Sequence, residues 1–303
     1  MQILDIEKLT FKDPSQAVLF DFLLTRLFPL TPFLAILSIN SSFVLSRRAL
    51  SALALRDGAT NIRALTGFNY ITPSTSVIEE DPFVQLLRCC PNLEELTVIG
   101  QDSDPTESEF KSSIPLALPK LRELMMLSMC SSPLMYALLQ SPLPSLTILT
   151  LTPYDDIPYP ASLTSQFISI HGQTLKSLLL YTPRSMPTRH HPSPADILTF
   201  TPNLRHLSLE TPLPALTINE KHHLKILSIP RPSAGSWRVL ERLLPCLPDL
   251  TAIRARDVRW LRKGVTSMAQ EAGVQGEMGE WKRRLGRRGI RLLDAKWHDS
   301  GIE

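Results

Sequence analysis

The sequence predicts an α/β solenoid, an open arc or horseshoe of stacked helix–turn–strand units with parallel strands on the concave face and helices on the convex face. Two observations carry the prediction. Aliphatic triads spaced L-x-x-L-x-L recur along the chain, their first positions lying 28, 28, 31, 28, 25, 29, 29, 20 and 26 residues apart. A second feature stays in phase with the first. Several intervals between triads open a helical pattern on an N-cap residue followed by proline, as at Asp13-Pro14, Asp81-Pro82, Ser132-Pro133 and Ser193-Pro194. The side-chain oxygen accepts from an orphan amide, and proline at the first helical position has no N–H to leave unsatisfied.

Taken in order, ten strands are expected, near 6–11, 34–39, 62–67, 93–98, 121–126, 146–151, 175–180, 204–209, 224–229 and 250–255. The first carries Ile6, Leu9 and Phe11, and the second Leu34, Leu37 and Ile39. The third is degraded to Ile62, Leu65 and Gly67. Full triads then run from Leu93/Leu96/Val98 to Leu224/Leu227/Ile229, before a weaker Leu250/Ile253/Ala255. A proline behind each helix, as in Cys90-Pro91 and Thr201-Pro202, pushes the preceding residue out of the α region, so the chain turns before the strand begins. Ordering about 28 residues costs on the order of 40 kcal/mol, whereas three buried aliphatics return roughly 5 to 9 kcal/mol. One unit therefore cannot stand alone, and neighbours must stack.

The interval from Leu204 to Leu224 is too short for a helix, and Leu213 to Ile218 reads as an extended segment. In the C-terminal region, 256–303, Met278, Trp281 and Leu285 share one helical face, Gly289 suits a stop, and Ile290 to Leu293 supplies a last strand. This is a basic capping region, with Lys282, Arg283, Arg284, Arg287 and Arg288 on its solvated side. The whole of 1–303 reads as a single domain.

Composition narrows the class further. A hydrophobic fraction of 43% is that of a packed protein, and 26 prolines against 12 glycines, spread through aliphatic sequence, act as punctuation and not as a linker. The 4 cysteines include no C-x-x-C pair and read as reduced core residues. The apolar run Ala17 to Leu30 is broken by Asp21, Arg26 and Pro29 and is short for a membrane span, while Met1 to Lys12 is unlike a signal peptide. A soluble cytoplasmic or nuclear protein, monomeric by itself and not bound to membrane, is expected. From Leu250 to the end, 12 Lys/Arg face 7 Asp/Glu, a local +5; the remaining 20 against 22 leave the rest at −2.

No G-x-S-x-G, Walker, H-E-x-x-H or G-x-G-x-x-G motif is present. The reading is therefore a non-enzyme with no cofactor and no metal. The adjacent pairs His190-His191 and His222-His223 miss metal-ligand spacing and are expected as exposed loop residues. The basic C-terminus offers an alternative, a free-standing scaffold binding nucleic acid; the modest net charge of +3 and the few neighbouring aromatics disfavour it.

The strand face is the informative one. With the triad pointing inward, the third, fifth and seventh positions look outward. In the middle units these are apolar: Ile99, Met125, Leu127, Ile148, Leu179 and Tyr181 should gather as one patch, joined in the eighth unit by His206, Ser208 and Glu210. The loops behind these strands concentrate charge and aromatics, with Asp102 and Asp104 in one, Tyr154, Asp155 and Asp156 in the next, and Arg184, Arg189 and His190 in a third. Together they form a candidate surface for a protein partner.

The runs PNLEELTV, LPSLTILTL and TPNLRHLSLE, with helical inserts and a period near 28, resemble leucine-rich repeats of the ribonuclease-inhibitor-like class. In wording they are similar to fungal F-box/leucine-rich-repeat proteins. The resemblance implies a module that selects substrates for a cullin-RING ubiquitin ligase. The F-box helix set is not found in the chain, so a Skp-type adaptor is expected only if an F-box lies upstream. The family's Asn or Cys ladder is also missing, since eight residues after the first leucine stand mixed residues such as Ser42, Gln101 and Tyr154.

Overall fold

The computed structural model describes residues 2–71, 81–100, 114–129, 132–153, 162–182, 195–210, 213–214, 216–218, 220–260 and 273–299. Eleven strands form one open, all-parallel sheet in sequence order. They are β1 (Ile3–Ile6), β2 (Ile36–Ile39), β3 (Ala64–Tyr70), β4 (Glu95–Gly100), β5 (Glu123–Leu127), β6 (Ile148–Leu151), β7 (Ser177–Leu180), β8 (His206–Ser208), β9 (Ile226–Ile229), β10 (Ala252–Ala255) and β11 (Arg291–Leu293). Among the described residues eight α-helices accompany them: α1 (Pro14–Leu27), α2 (Arg47–Leu55), α3 (Pro82–Arg88), α4 (Pro133–Gln140), α5 (Leu163–His171), α6 (Ile197–Phe200), α7 (Ala234–Leu243) and α8 (Gly273–Gly286). The fold is therefore α/β, each strand pairing with the next along the chain.

The triads build one continuous core. Leu37, Leu65, Leu96, Leu124, Leu149, Leu178, Leu207, Leu227 and Ile253 stand in register across the sheet and are buried. They meet helix residues such as Leu53, Leu86, Leu138, Phe167 and Leu240 in the same cluster. The face of the sheet carrying the triads is thus the helix face, and the third, fifth and seventh positions lie on the opposite, open face.

The caps behave as expected where described: Asp13, Asp81 and Ser132 accept from Ser15, Phe83 and Met135 amides, and each is followed by proline. Ser193-Pro194 lies outside the described residues; α6 follows Asp196 with no side-chain cap. Ser46, Ser162 and Ser233 cap α2, α5 and α7 without a proline.

Two strand expectations are corrected. The first strand is Ile3–Ile6 and not 6–11, because Leu4 and Ile6 fall opposite Leu37 and Ile39. Phe11 instead joins an aromatic cluster with Phe20 and Phe43, at centroid distances of 5.4 and 5.3 Å. The third strand runs to Tyr70 and shifts register between Leu65 and Phe68. This bulge places Phe68, 2% exposed, where the degraded triad would put Gly67. Gly67 sits in the left-handed region at φ 74, and a Cβ there would come within 2.0 Å of the Ile39 carbonyl oxygen. The 204–224 interval has no helix among its described residues, in keeping with an extended segment.

The Pro-Asn-Leu wording has a structural cause. In eight units, from Leu34 to Leu250, the amide of the first triad residue bonds the carbonyl three residues earlier at 3.1–3.3 Å, closing a tight turn. The asparagine just before that residue donates to a carbonyl of the preceding unit: Asn61 to Pro32 (3.0 Å), Asn92 to Thr60 (2.8 Å) and Asn203 to Gln173 (2.8 Å), with Ser145 to Pro119 (2.6 Å) as a hydroxyl version. Behind the first strands asparagines make the same kind of bond, Asn40 to the Glu7 carbonyl (2.7 Å) and Asn69 to the Ser41 carbonyl (2.8 Å).

The C-terminal region closes the other end. Met278, Trp281 and Leu285 are buried, and Trp281 packs edge-on against Trp237 at 5.2 Å. β11 pairs with β10, and the chain then folds back so that Asp299 bridges Leu293 in antiparallel sense.

Candidate functional site

The open face divides into two stretches. In the middle, β4 to β7 bring Ile99, Met125, Ile148 and Leu179 together, all half-buried, with Tyr181 43% exposed at the end of β7. Pairings set their neighbours: Ile99 opposite Leu127, Met125 between Thr97 and Thr150, and Leu179 beside Thr150. Leu127 departs from expectation. It is only 4% exposed, packed at the end of β5 next to the buried Ser128, whose amide bonds the Thr152 hydroxyl at 2.8 Å. Beside the patch, Glu95 and Glu123 face each other on β4 and β5. Burial, and then the Glu123 charge, push the Glu95 carboxyl above the usual range.

The second stretch, β8 to β10, is occupied by the chain itself. Trp297, held at φ 66, lies over the Arg254 guanidinium at 4.3 Å and against the His206 ring at 5.8 Å. Asp294 holds this tail in place, accepting from the amides of Lys296 (2.8 Å), His298 (2.9 Å) and Trp260 (3.2 Å). His206 Nε2 meets the Ser228 hydroxyl at 2.8 Å and Nδ1 the Ser177 hydroxyl at 3.4 Å. Burial first, and then Arg254 and Arg256, bring the His206 imidazole down to about 4.

Glu210 is likewise taken up internally. Its Oε1 pairs with Arg256 Nη2 at 2.9 Å and accepts the Thr182 amide at 3.1 Å. Arg256 also donates to the Leu180 and Leu209 carbonyls, at 3.2 and 3.1 Å. Both carbonyls lie past the last residues that β8 pairs. Of the residues expected to face a partner here, Ser208 is 1% exposed and is corrected to buried, while His206 and Glu210 are tied into the protein. The buried Ser208 hydroxyl has no hydrogen-bond partner among the described residues.

The rim residues Asp102, Asp104, Tyr154, Asp155, Asp156, Arg184, Arg189 and His190 lie outside the described residues. Of the second histidine pair, His223 is exposed and meets Asp249 at 2.7 Å, but His222 is buried, its Nε2 on the Thr201 carbonyl at 2.9 Å. Burial lowers its pKa. Among the described residues no group of three or more His, Cys, Asp or Glu could hold a metal ion. Cys90 is buried beside Arg56, and desolvation pushes its thiol up to about 12, far from a reactive thiolate. In the basic C-terminal run, Arg283 and Arg284 both pair with Glu280.

Two surfaces escaped sequence reasoning. On the helix side Val18, Leu19, Phe22 and Leu23 of α1 are all at least half exposed. No helix among the described residues is long and apolar enough to cross a membrane. At the strand entrances, Lys176, Arg205 and Lys225 stand side by side; each occupies the second position of its unit, a place a search for outward strand residues passes over. Comparison of the chain with family models, curated proteins and solved structures gives no match.

Proposed function

We propose that this chain is a non-enzymatic protein-recognition module of leucine-rich-repeat type, holding its partner against the open face of β4 to β7. The observation that carries the reading is the set Ile99, Met125, Ile148, Leu179 and Tyr181, which leaves apolar surface partly uncovered on four consecutive strands of a face that no helix among the described residues packs. Apolar surface gathered in this way serves association better than it serves solubility. The half-buried Glu95 and Glu123 at its edge favour a partner that offers a cation beside aliphatic groups.

The double variant Met125→Glu/Leu179→Glu tests this. Cross-linking in cells of origin, with the wild-type chain and the variant in parallel, should capture a partner only with the wild type. The variant should unfold within about 4 °C of the wild type, because half-exposed positions tolerate charge. Capture unchanged by the substitutions removes the open face from the reading.

Within the same proposal, the repeat wording makes the partner a substrate of an F-box-type ubiquitin ligase. Co-purification of a Skp-type adaptor and a cullin with the product of the longest natural transcript supports that part. Their consistent absence reduces the proposal to a free-standing recognition module.

A further inference from the structure

We propose that the β1 end of the sheet is an interface between two copies of this chain, related by a two-fold axis that sets β1 antiparallel to β1 of the second copy. The proposal rests on residues other than the open-face patch and stands or falls separately. The two ends of the sheet differ. At the far end the tail folds back on β11, and Leu292 and Leu293 are 1% and 7% exposed. At the near end Leu4 and Ile6 stand in register with the fully buried Leu37 and Ile39. Both nevertheless remain only half-buried, because no described residue stacks on their other side.

β1 also has a free edge. Among the described residues it pairs only with β2, and the Ile36 amide bonds the Gln2 carbonyl at 3.0 Å. In that parallel ladder the amide and carbonyl of Leu4 turn towards β2, so those of Ile3 and Asp5 turn outward. An antiparallel copy centred on Leu4 sets Ile3 of each chain opposite Asp5 of the other, so that every one of these outward groups is bonded and Leu4 meets Leu4 on the core face. A register centred on Asp5 would instead place carboxylate against carboxylate.

Four residues of strand would not hold a dimer by themselves; α1 supplies the surface. Asp21 accepts the Ser46 amide at 2.8 Å, which fixes the side of α1 that meets α2, while Leu24 and Phe28 fill the core. At 3.6 residues per turn the side away from α2 carries Leu19 and Leu23, continued by Leu30 in the turn Phe28–Leu30 that follows. They are 60%, 52% and 77% exposed. The stripe is uncharged, with Asp21 turned to α2 and the Arg26 guanidinium stacked on Phe22 at 4.5 Å. With the exposed Ile3 these residues leave roughly 400 Å² of apolar surface on each copy; a homodimer that buries about 1,000 to 1,600 Å² in total, about 65% of it apolar, requires roughly 325 to 520 Å² per copy. One two-fold operation thus covers the outward backbone groups, the half-buried ends of the core and the uncharged stripe together. A membrane surface would take the stripe but leave the backbone groups of Ile3 and Asp5 without partners. The symmetry closes at two chains, in place of the monomer that the sequence suggests.

The test is sedimentation velocity on the full chain at about 50 μM, above the micromolar dissociation constant of a weak interface of this size. A single species of two chains is expected. Leu19→Glu/Leu23→Glu sets four carboxylates in the interface and should weaken association about a hundredfold or more, with an unchanged far-ultraviolet spectrum because both residues are exposed. Asp5→Pro leaves α1 untouched, removes one outward donor from each edge and sets a ring where the second copy's strand would lie, so it should also give a monomer. Ile170→Glu, at a position of α5 that is 57% exposed, should leave the dimer intact. In the wild type, hydrogen exchange at the Ile3 and Asp5 amides should slow as concentration rises, a readout that needs no variant. A wild type that stays monomeric, a dimer that survives in either folded variant, loss of the dimer in Ile170→Glu, exchange indifferent to concentration, or species larger than two chains each overturns the proposal. A monomer that floats with phosphatidylcholine vesicles overturns it in favour of a membrane surface.

Discussion

The stretch of open face over β8 to β10 and the stretch over β4 to β7 share a backbone, a register and a repeat, yet they meet solvent differently. The first is a closed polar surface. Arg254, Arg256, Glu210, His206 and two serines contact one another and the C-terminal tail, and Trp297 lies across them. The second has no such internal partner for Met125, Ile148, Leu179 or Tyr181 among the described residues. Outward strand positions carry no instruction of their own. Whether they become core or contact surface depends on whether another part of the same chain crosses them.

The largest effect expected from breaking this contrast is at Arg256. Its guanidinium joins β7, β8 and β10 through two carbonyls and Glu210, with side-chain exposures of 14% and 16% for the pair. Arg256→Ala leaves a desolvated carboxylate and two carbonyls without their donor, and should cost about 3 kcal/mol in denaturant unfolding. A loss below about 1 kcal/mol would show the pair to be an ordinary surface contact.

Next in size is a pH effect confined to the covered half. His206 has its folded pKa lowered from 6.5 to about 4, so the folded protein refuses a proton that the unfolded chain accepts. The sign follows from linkage: stability is unaffected above pH 6.5 and falls as pH drops from 6.5 towards 4. The loss should be on the order of 2 kcal/mol, discounted because solvent still reaches one edge of the ring. His206→Gln, which keeps a side chain able to reach Ser228, should flatten this part of the stability–pH curve. Identical curves for the two proteins would mean that the fold leaves the His206 pKa where the unfolded chain has it.

Much of the fold was legible because the triad residues are both spaced and buried. Leu93, Leu96 and Val98, like Leu204, Leu207 and Leu209, are all at or below 1% exposure, and hydrophobic spacing reports burial directly. The misreadings arose where another interaction competes with spacing. Ile6/Leu9/Phe11 matches the pattern, but Phe11 is held by Phe20 and Phe43. Gly67 reads as a lost core residue, whereas its left-handed backbone delivers Phe68 to that place. The candidate site was legible only in its middle. That Met125 and Leu179 point outward follows from alternation, but alternation says nothing of Trp297, 91 residues beyond His206 in sequence and packed against its ring. His222 was misjudged for a related reason, since it is held by the Thr201 and Cys246 carbonyls, 21 and 24 residues away in sequence.

The smallest expected effect tests the uncovered half by its sign. Met125 lies two residues from Glu123 on the same face, and Glu123 is opposite Glu95. Glu95 already titrates high through burial and its neighbour's charge, so the site is short of positive charge. Met125→Lys should therefore be neutral or stabilising by a few tenths of a kcal/mol, and Met125→Glu destabilising by about 0.5 kcal/mol, the range of cross-strand and diagonal charge pairs. The lysine variant should also bring the Glu95 carboxyl back towards its ordinary range in an NMR titration. An apolar core position would behave otherwise. There, either charge would be desolvated, and both variants would lose several kcal/mol with the same sign. Opposite signs for the two substitutions thus define Met125 as surface, and equal large losses would join β5 to the covered half of the sheet.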